Sequence, residues 1–282
     1  MPGILYIIAT PIGNLEDITY RAVRILGEVD LIAAEDTRHT RKLLTRYGIT
    51  KPLTSYFDHN KSLKGEYLLG RLRDGQSVAL VTDAGTPCIS DPGYQLVRDA
   101  AGEGIPVVPV PGPSAFVAAL SAAGLPTDSF IFEGFLPSRE KKRLEKLAHL
   151  KGEQRVVIFY EAPGRLLATL TDMLAILGDR HIVVARELTK IHEEFARGPI
   201  SSVRSHFTGA EVKGEVVILV APAPAPATPG EDDMKNLLRH YLQRGDISFK
   251  DAVKRVSIEL DIPRAQVYEM ALRIKSCGES VC

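Results

Sequence analysis

Short apolar runs alternate with amphipathic stretches along the first half of the chain. Ile4–Ala9, Leu31–Ala34, Val78–Thr82 and Val107–Val110 predict strands. Between them, Asp17–Leu26, Thr37–Tyr47, Lys64–Arg73 and Gly93–Ala101 carry the periodicity of amphipathic helices. That alternation predicts an α/β fold, a mostly parallel sheet with helices on both faces. Pro111-Gly-Pro-Ser-Ala115 interrupts the pattern, and Pro113 suits the first turn of a helix over Phe116–Ala123. A second block follows. Phe130–Phe135, Val156–Tyr160, Ile182–Arg186, Glu193–Arg197 and Glu215–Val220 predict strands, and Ser138–Leu150, Gly164–Leu177 and Ile200–His206 predict helices. Some of these strands follow one another with no helix between, which predicts a mixed sheet.

Pro222-Ala-Pro-Ala-Pro-Ala-Thr-Pro-Gly230 reads as a semi-rigid linker. Beyond it Ser248-Phe-Lys-Asp251 resembles a capping box, with stripes at Val253, Val256 and Leu260, then at Val267, Met270, Ala271 and Ile274. A helix-turn-helix-like module is expected there. The predicted organisation is an N-terminal α/β domain over 1–116, a second over 117–221, a linker over 222–232 and the helical module over 233–282.

The chain of 282 residues is 45% hydrophobic and 25% charged, as expected of a water-soluble globular protein. Met1–Ile8 has no basic residue ahead of its apolar positions and reads as a first strand rather than a signal peptide. Three cysteines, Cys88, Cys277 and Cys282, form no CxxC, which argues against a disulfide framework or a zinc site and for a reducing cytoplasmic setting. Net charge is +0, yet residues 35–73 carry nine Lys or Arg against four Asp or Glu, and residues 139–155 carry seven against three. Such local basic surfaces can meet phosphates. In 231–282 nine basic residues balance nine acidic ones, which disfavours an operator-DNA reader.

The segment Asp83-Ala-Gly-Thr-Pro-Cys-Ile-Ser-Asp-Pro-Gly93 follows the third predicted strand and cannot form regular ladders. Loops of this kind at strand carboxyl ends bind ligands in open α/β sheets. The first loop, Thr10-Pro-Ile-Gly-Asn-Leu-Glu-Asp17, is neither a GxGxxG nor a Gly-Lys-Ser/Thr loop, so NAD and ATP are disfavoured. An adenosine-containing ligand held by loop backbone remains, and S-adenosylmethionine fits.

Seven segments in order carry a resemblance. They are Ala9–Thr19, Ala34-Glu-Asp-Thr-Arg38, Thr82–Pro87 with Ile89–Gly93, Val110–Ala115, Tyr160-Glu-Ala-Pro163, Arg186–Glu194 and Lys213-Gly-Glu-Val216. They make the chain resemble the tetrapyrrole methylase superfamily, and within it the branch that methylates a cytidine 2'-hydroxyl of bacterial small-subunit ribosomal RNA. The resemblance implies a methyl-donor cleft between two α/β domains, commonly in a homodimer. Pro11, Asp83, Ala84, Gly85 and Thr86 are expected to line the donor pocket, with Ser90, Asp91, Ser114 and Ala115. Tyr160, Leu188, Gly214 and Glu215 are expected to close it from the second domain. Gly164 stands where the family is expected to carry a larger side chain, usually His.

On the acceptor side, Thr37 is expected to cap a basic helix with Asp36 just outside it. Arg38, Arg41 and Lys42 are candidate phosphate contacts, Arg139, Lys141, Lys142 and Arg143 a second set, and Arg165 a third. Asp36 and Glu161 are the leading candidates for a general base, ahead of His192. No metal is needed. Two other readings stay open at this point, a porphyrin-precursor C-methyltransferase and a non-catalytic RNA-binding assembly protein.

Overall fold

The computed structural model describes residues 2–57, 61–209, 211–224, 230–244 and 247–278. Part of the expected linker, 225–229, and Cys282 lie outside the described residues. Two compact units are present, Met1–Ala223 and Pro224–Cys282.

In the larger unit the first sheet runs β3 (Leu53–Ser55), β2 (Leu31–Ala34), β4 (Val78–Val81), β1 (Leu5–Ile8), β5 (Val107–Val110), and every pairing is parallel. All four residues of both β2 and β4 are buried, because helices cover both faces. Side-chain alternation sends Leu31, Ala33, Val78 and Leu80 into a core shared with α3 (Lys61–Arg73) and α4 (Tyr94–Gly102). Ile32, Ala34, Ala79 and Val81 face the other way, onto α1 (Tyr20–Glu28) and α2 (Thr37–Arg46). The three-residue edge strand β3 escaped the sequence pattern, since all its residues are only half-buried and a proline precedes it.

The second sheet runs β6 (Phe130–Phe135), β7 (Val156–Glu161), β10 (Val216–Val220), β8 (His181–Arg186), β9 (Glu194–Pro199). It is mixed. The β6–β7 pairing is parallel and the remaining three are antiparallel. One face packs on α6 (Glu140–His149), α7 (Leu166–Leu177) and α8 (Ile200–Phe207). The other packs on α5 (Ala115–Ala123) and on Ile12 from the first loop. The residue 116/117 boundary expected from sequence thus falls inside α5. Pro113 lies before that helix, whose N-cap is Ser114, because the chain is still extended there.

The described residues of the smaller unit form three helices, α9 (Glu231–Arg244), α10 (Phe249–Glu259) and α11 (Arg264–Gly278), around Leu238, Val253, Val256 and Val267. The Ser248 side chain caps α10 as expected, accepting from Asp251 N–H at 3.1 Å. Helix α9 starts inside the expected linker, with Glu231, Asp232 and Asp233 in its first turn against the positive end of the helix dipole.

Phe159 is 1% exposed at the centre of the second sheet. Phe159→Ala is expected to destabilise the larger unit by ~3–5 kcal/mol, read as a lowered midpoint in urea unfolding.

Candidate functional site

Three loops leave the carboxyl ends of the adjacent strands β4, β1 and β5, and hydrogen bonds tie them together. Thr10 N–H donates to Gly85 O at 2.8 Å, Gly85 N–H returns to Thr10 O at 3.0 Å, and the Thr10 hydroxyl donates to Thr82 O at 3.0 Å. The Thr86 hydroxyl donates to Pro113 O at 3.1 Å. The Asp83–Gly93 loop takes left-handed conformations at Gly85, Cys88 and Ser90, with φ of 88°, 71° and 65°. Two of these are not glycine, a strain that the surrounding packing must hold in place. Gly93 has φ 147°, and a Cβ there would lie 2.4 Å from Cys88 Sγ and 2.9 Å from Leu80 Cδ2, so only glycine fits.

These loops and the second sheet enclose a cavity of about 390 Å³. Asp83, Ala84, Gly85, Thr86, Ser90, Asp91, Ser114 and Ala115 line one side. Tyr160, Gly214 and Glu215 line the other. Two expected residues fall elsewhere. Leu188 does not line the cavity and is buried in the apolar cluster between α5 and the second sheet. Pro11 faces a neighbouring concavity that shares Thr82 and Asp83 with the main one and is also lined by His39 and Lys42. The sequence reading missed Glu35, Ile12, Ile89 and Phe135, all of which line the cavity. Glu35 had a usable signal, since it directly follows β2 as Asp83 nearly follows β4.

Phe135 stands at the rim, 56% exposed, its ring 5.6 Å from that of Tyr160. A register shift between Phe132 and Gly134 turns it there, with Gly134 at φ 64°. Burial pushes the Tyr160 phenol up from its ordinary value.

Charge is the cavity's strongest feature. Glu35, Asp83, Asp91, Glu161 and Glu215 line it, and among the described residues no Lys, Arg or His does. Such a site disfavours phosphate and suits a neutral or cationic ligand.

Both expected bases are committed to structure. Asp36 does not line the cavity. It, not Thr37, is the N-cap of α2, because its carboxylate accepts from Arg38 N–H at 2.8 Å. The Arg38 guanidinium also grips it at 2.7 Å and holds its pKa well below the usual carboxylate range. Glu161 is buried. It accepts from the Thr169 hydroxyl at 2.6 Å and Ala162 N–H at 2.8 Å, and Arg165 lies 3.2 Å away.

Arg41, Lys42, Arg139, Lys141 and Lys142 are exposed, as expected of phosphate contacts. Arg38 is also exposed but is paired to Asp36. Arg143 is a correction. It is 7% exposed, pairs with Asp172 at 2.6 Å and donates to Ser138 O at 3.1 Å. Arg165 likewise donates inward, to Leu136 O at 2.8 Å. The two arginines staple the β6–α6 connection beside the cavity. Arg143 lies on one helical stripe with buried Leu147 and Leu150, and that spacing announced its burial.

A model of the tetrapyrrole (corrin/porphyrin) methylases matches residues 4–204. The chain is 47% identical over 279 residues to ribosomal RNA small subunit methyltransferase I of Synechocystis sp., covering 98% of this chain and 100% of that one. It is 52% identical over 219 residues to the protein of that name in Thermotoga maritima, covering 78% of this chain and 98% of the other. Among solved structures, a Thermus thermophilus uroporphyrin-III C-methyltransferase complexed with S-adenosylhomocysteine superposes with a TM-score of 0.54 at 18% identity. That likeness covers 78% of this chain and 97% of the other.

Arg143→Ala is expected to cost up to ~3 kcal/mol of stability by leaving partly buried Asp172 unpaired. Charge reversal at Arg41 and Lys42 is expected to leave stability near wild type and to lower the salt slope of RNA binding by roughly 0.7–0.9 per lost contact. Thermal melts and filter binding at several salt concentrations separate the two effects.

Proposed function

Because the chain belongs to the tetrapyrrole methylases and is 47% and 52% identical to proteins named ribosomal RNA small subunit methyltransferase I, we propose that it transfers a methyl group from S-adenosylmethionine to the 2'-hydroxyl of a cytidine in small-subunit ribosomal RNA. The carrying observation is the cavity lined by five carboxylates and, among the described residues, no basic side chain. S-adenosylmethionine has a sulfonium, an ammonium and one carboxylate, so its net charge complements that wall. A pyrophosphate ligand would be repelled by it. The volume also suits a ligand of this size.

The Asp83–Thr86 loop, Ser114 and Ala115 would hold the donor from the first sheet, and Tyr160, Gly214 and Glu215 from the second. The bound donor supplies an electrophilic methyl group on positively charged sulfur. This chain's own residues position the two reactants and exclude water. On the acceptor side, His39 and Lys42 line the adjoining concavity that shares Thr82 and Asp83 with the donor cavity. An RNA backbone drawn to the exposed cations of α2 would therefore approach the donor across that shared wall. The porphyrin-methylating neighbour shares 18% identity, which speaks to fold alone, whereas the ribosomal RNA relatives share 47% and 52%.

The reading extends to a homodimer, favoured by exposed Val117 on α5 and Phe130 on the edge strand β6. It also places the protein in the cytoplasm, where ribosomal subunits are. No described helix is long and apolar enough to cross a membrane.

Tritiated methyl transfer to small subunits lacking their native methylations, followed by nucleoside analysis, tests the assignment. Label in 2'-O-methylcytidine is expected. Label in another nucleoside, or none, contradicts it.

A further inference from the structure

Four of the five cavity carboxylates already have a structural or solvent-facing role. Glu161 is held by the donors described above. Glu35 accepts from the Thr82 hydroxyl at 2.8 Å, and Asp83 accepts from Asp36 N–H at 3.0 Å. The Glu215 side chain is 66% exposed, with Lys190 at 3.9 Å. Asp91 differs. It is half-buried in the cavity wall behind left-handed Ser90. It lies within hydrogen-bonding reach of the Thr82 hydroxyl, whose single proton it must share with Glu35, so the pair cannot both be fully satisfied. The ionisable groups that face it are Glu35 beyond β2, Asp83 beyond β4, Cys88 of its own loop and Tyr160 of β7, and none of them is cationic. Among the described residues no such acidic group is arranged to hold a metal ion.

The inference rests on the donor and acceptor assigned above. We propose that Asp91 accepts the proton released by the ribose hydroxyl, and that its carboxylate is the counter-ion of the donor's positive sulfur before transfer. In the transfer an oxygen lone pair forms the new O–CH₃ bond, the S–CH₃ pair returns to sulfur, and the hydroxyl proton departs. Sulfur therefore loses one positive charge as one proton appears. Uptake of that proton by Asp91 keeps the charge of the cavity constant. Without it, a neutral thioether would leave the half-buried carboxylate facing Glu35 and Asp83 uncompensated.

Burial, with the like charges of Glu35 and Asp83 adding to it, pushes the Asp91 carboxyl up to about 6. A base acts in its ionised form, so activity falls as pH drops through that value. Bound cationic donor lowers the pKa. The acid limb of kcat, which reports the complex, is therefore expected at lower pH than the limb of kcat/KM, which reports the free enzyme.

Calorimetry in buffers of different ionisation heat tests the coupling without turnover. Near the Asp91 pKa of about 6, S-adenosylmethionine binding is expected to release roughly half a proton, and S-adenosylhomocysteine binding to release none or to take up at most roughly half of one. Asp91→Asn is expected to bind both ligands with no difference in proton exchange, and Asp91→Glu to restore the difference. Equal proton exchange for the two ligands in the wild type, or a difference that survives in Asp91→Asn, overturns the proposal. Absence of any binding heat with either ligand overturns the donor assignment itself, and this proposal with it.

Two further readouts apply to the same variant. Asp91→Asn is expected to lower single-turnover methylation by about 10²–10⁴-fold and to flatten the acid limb. A limb unchanged in the variant overturns the proposal. In the empty protein a raised carboxyl pKa costs stability once pH exceeds it. Asp91→Asn should therefore raise Tm more at about pH 8 than at about pH 4, which also verifies that the variant folds.

Discussion

The site depends on one packing arrangement, the seating of loops from the first sheet against the face of the second that also carries α5. Ile12 from the first loop is buried with Ala119 and Leu120 of α5 and with Val156, Ile158, Val183 and Val217 of the second sheet. That contact fixes where the β1 loop lies. The paired bonds between Thr10 and Gly85 then fix the β4 loop, and the Thr86–Pro113 bond fixes the β5 loop. Without the apolar seat, the loop carboxylates would face solvent and lose the partial burial that gives them their chemistry.

The electrostatic character follows from that seat. Strand ends in an open α/β sheet gather the residues that follow them, and here Glu35 and Asp83 come from neighbouring strands. Asp91 joins them because the loop turns back through left-handed Cys88 and Ser90, with Gly93 fitting against Leu80. The opposite wall contributes two aromatics and two more acids but, among the described residues, no base. Cations are kept outside, on α2 and at the start of α6, where an anionic polymer would meet them. The inner surface suits a cation and the outer one a polyanion. A methyltransferase that carries a sulfonium donor to an RNA acceptor needs that separation.

Much of this was legible in the residues. Val107–Val110 and Phe130–Phe135 are strands with the predicted ends, and the polar Asp83–Gly93 segment marked a loop that lines the main cavity. The losses have physical causes. Strand β3 is three half-buried residues, too short for any period to register. Helix α9 was masked by the proline-rich run before it, although Met234, Leu238 and Tyr241 already carried a helical stripe. Arg143, Arg165 and Glu161 were read by charge, which says nothing of the direction in which a side chain points. Burial turned Arg143 and Glu161 into structural ties, and inward hydrogen bonds did the same to half-buried Arg165. Asp36 was misread for a related reason, since a carboxylate one residue before a basic helix is as good a cap as a base. Asp91 was recognised as a pocket residue. Its distinct proton chemistry emerged only when the other carboxylates proved to be engaged.

The most direct test of the account is a crystal structure of the protein grown with S-adenosylhomocysteine. The ligand is predicted in the carboxylate-lined cavity, between the Asp83–Thr86 loop and Gly214–Glu215, with its sulfur on the Asp91 side. Ligand density in the separate concavity lined by Asn14, Arg46, Lys190 and His192, with the carboxylate cavity empty, would contradict it.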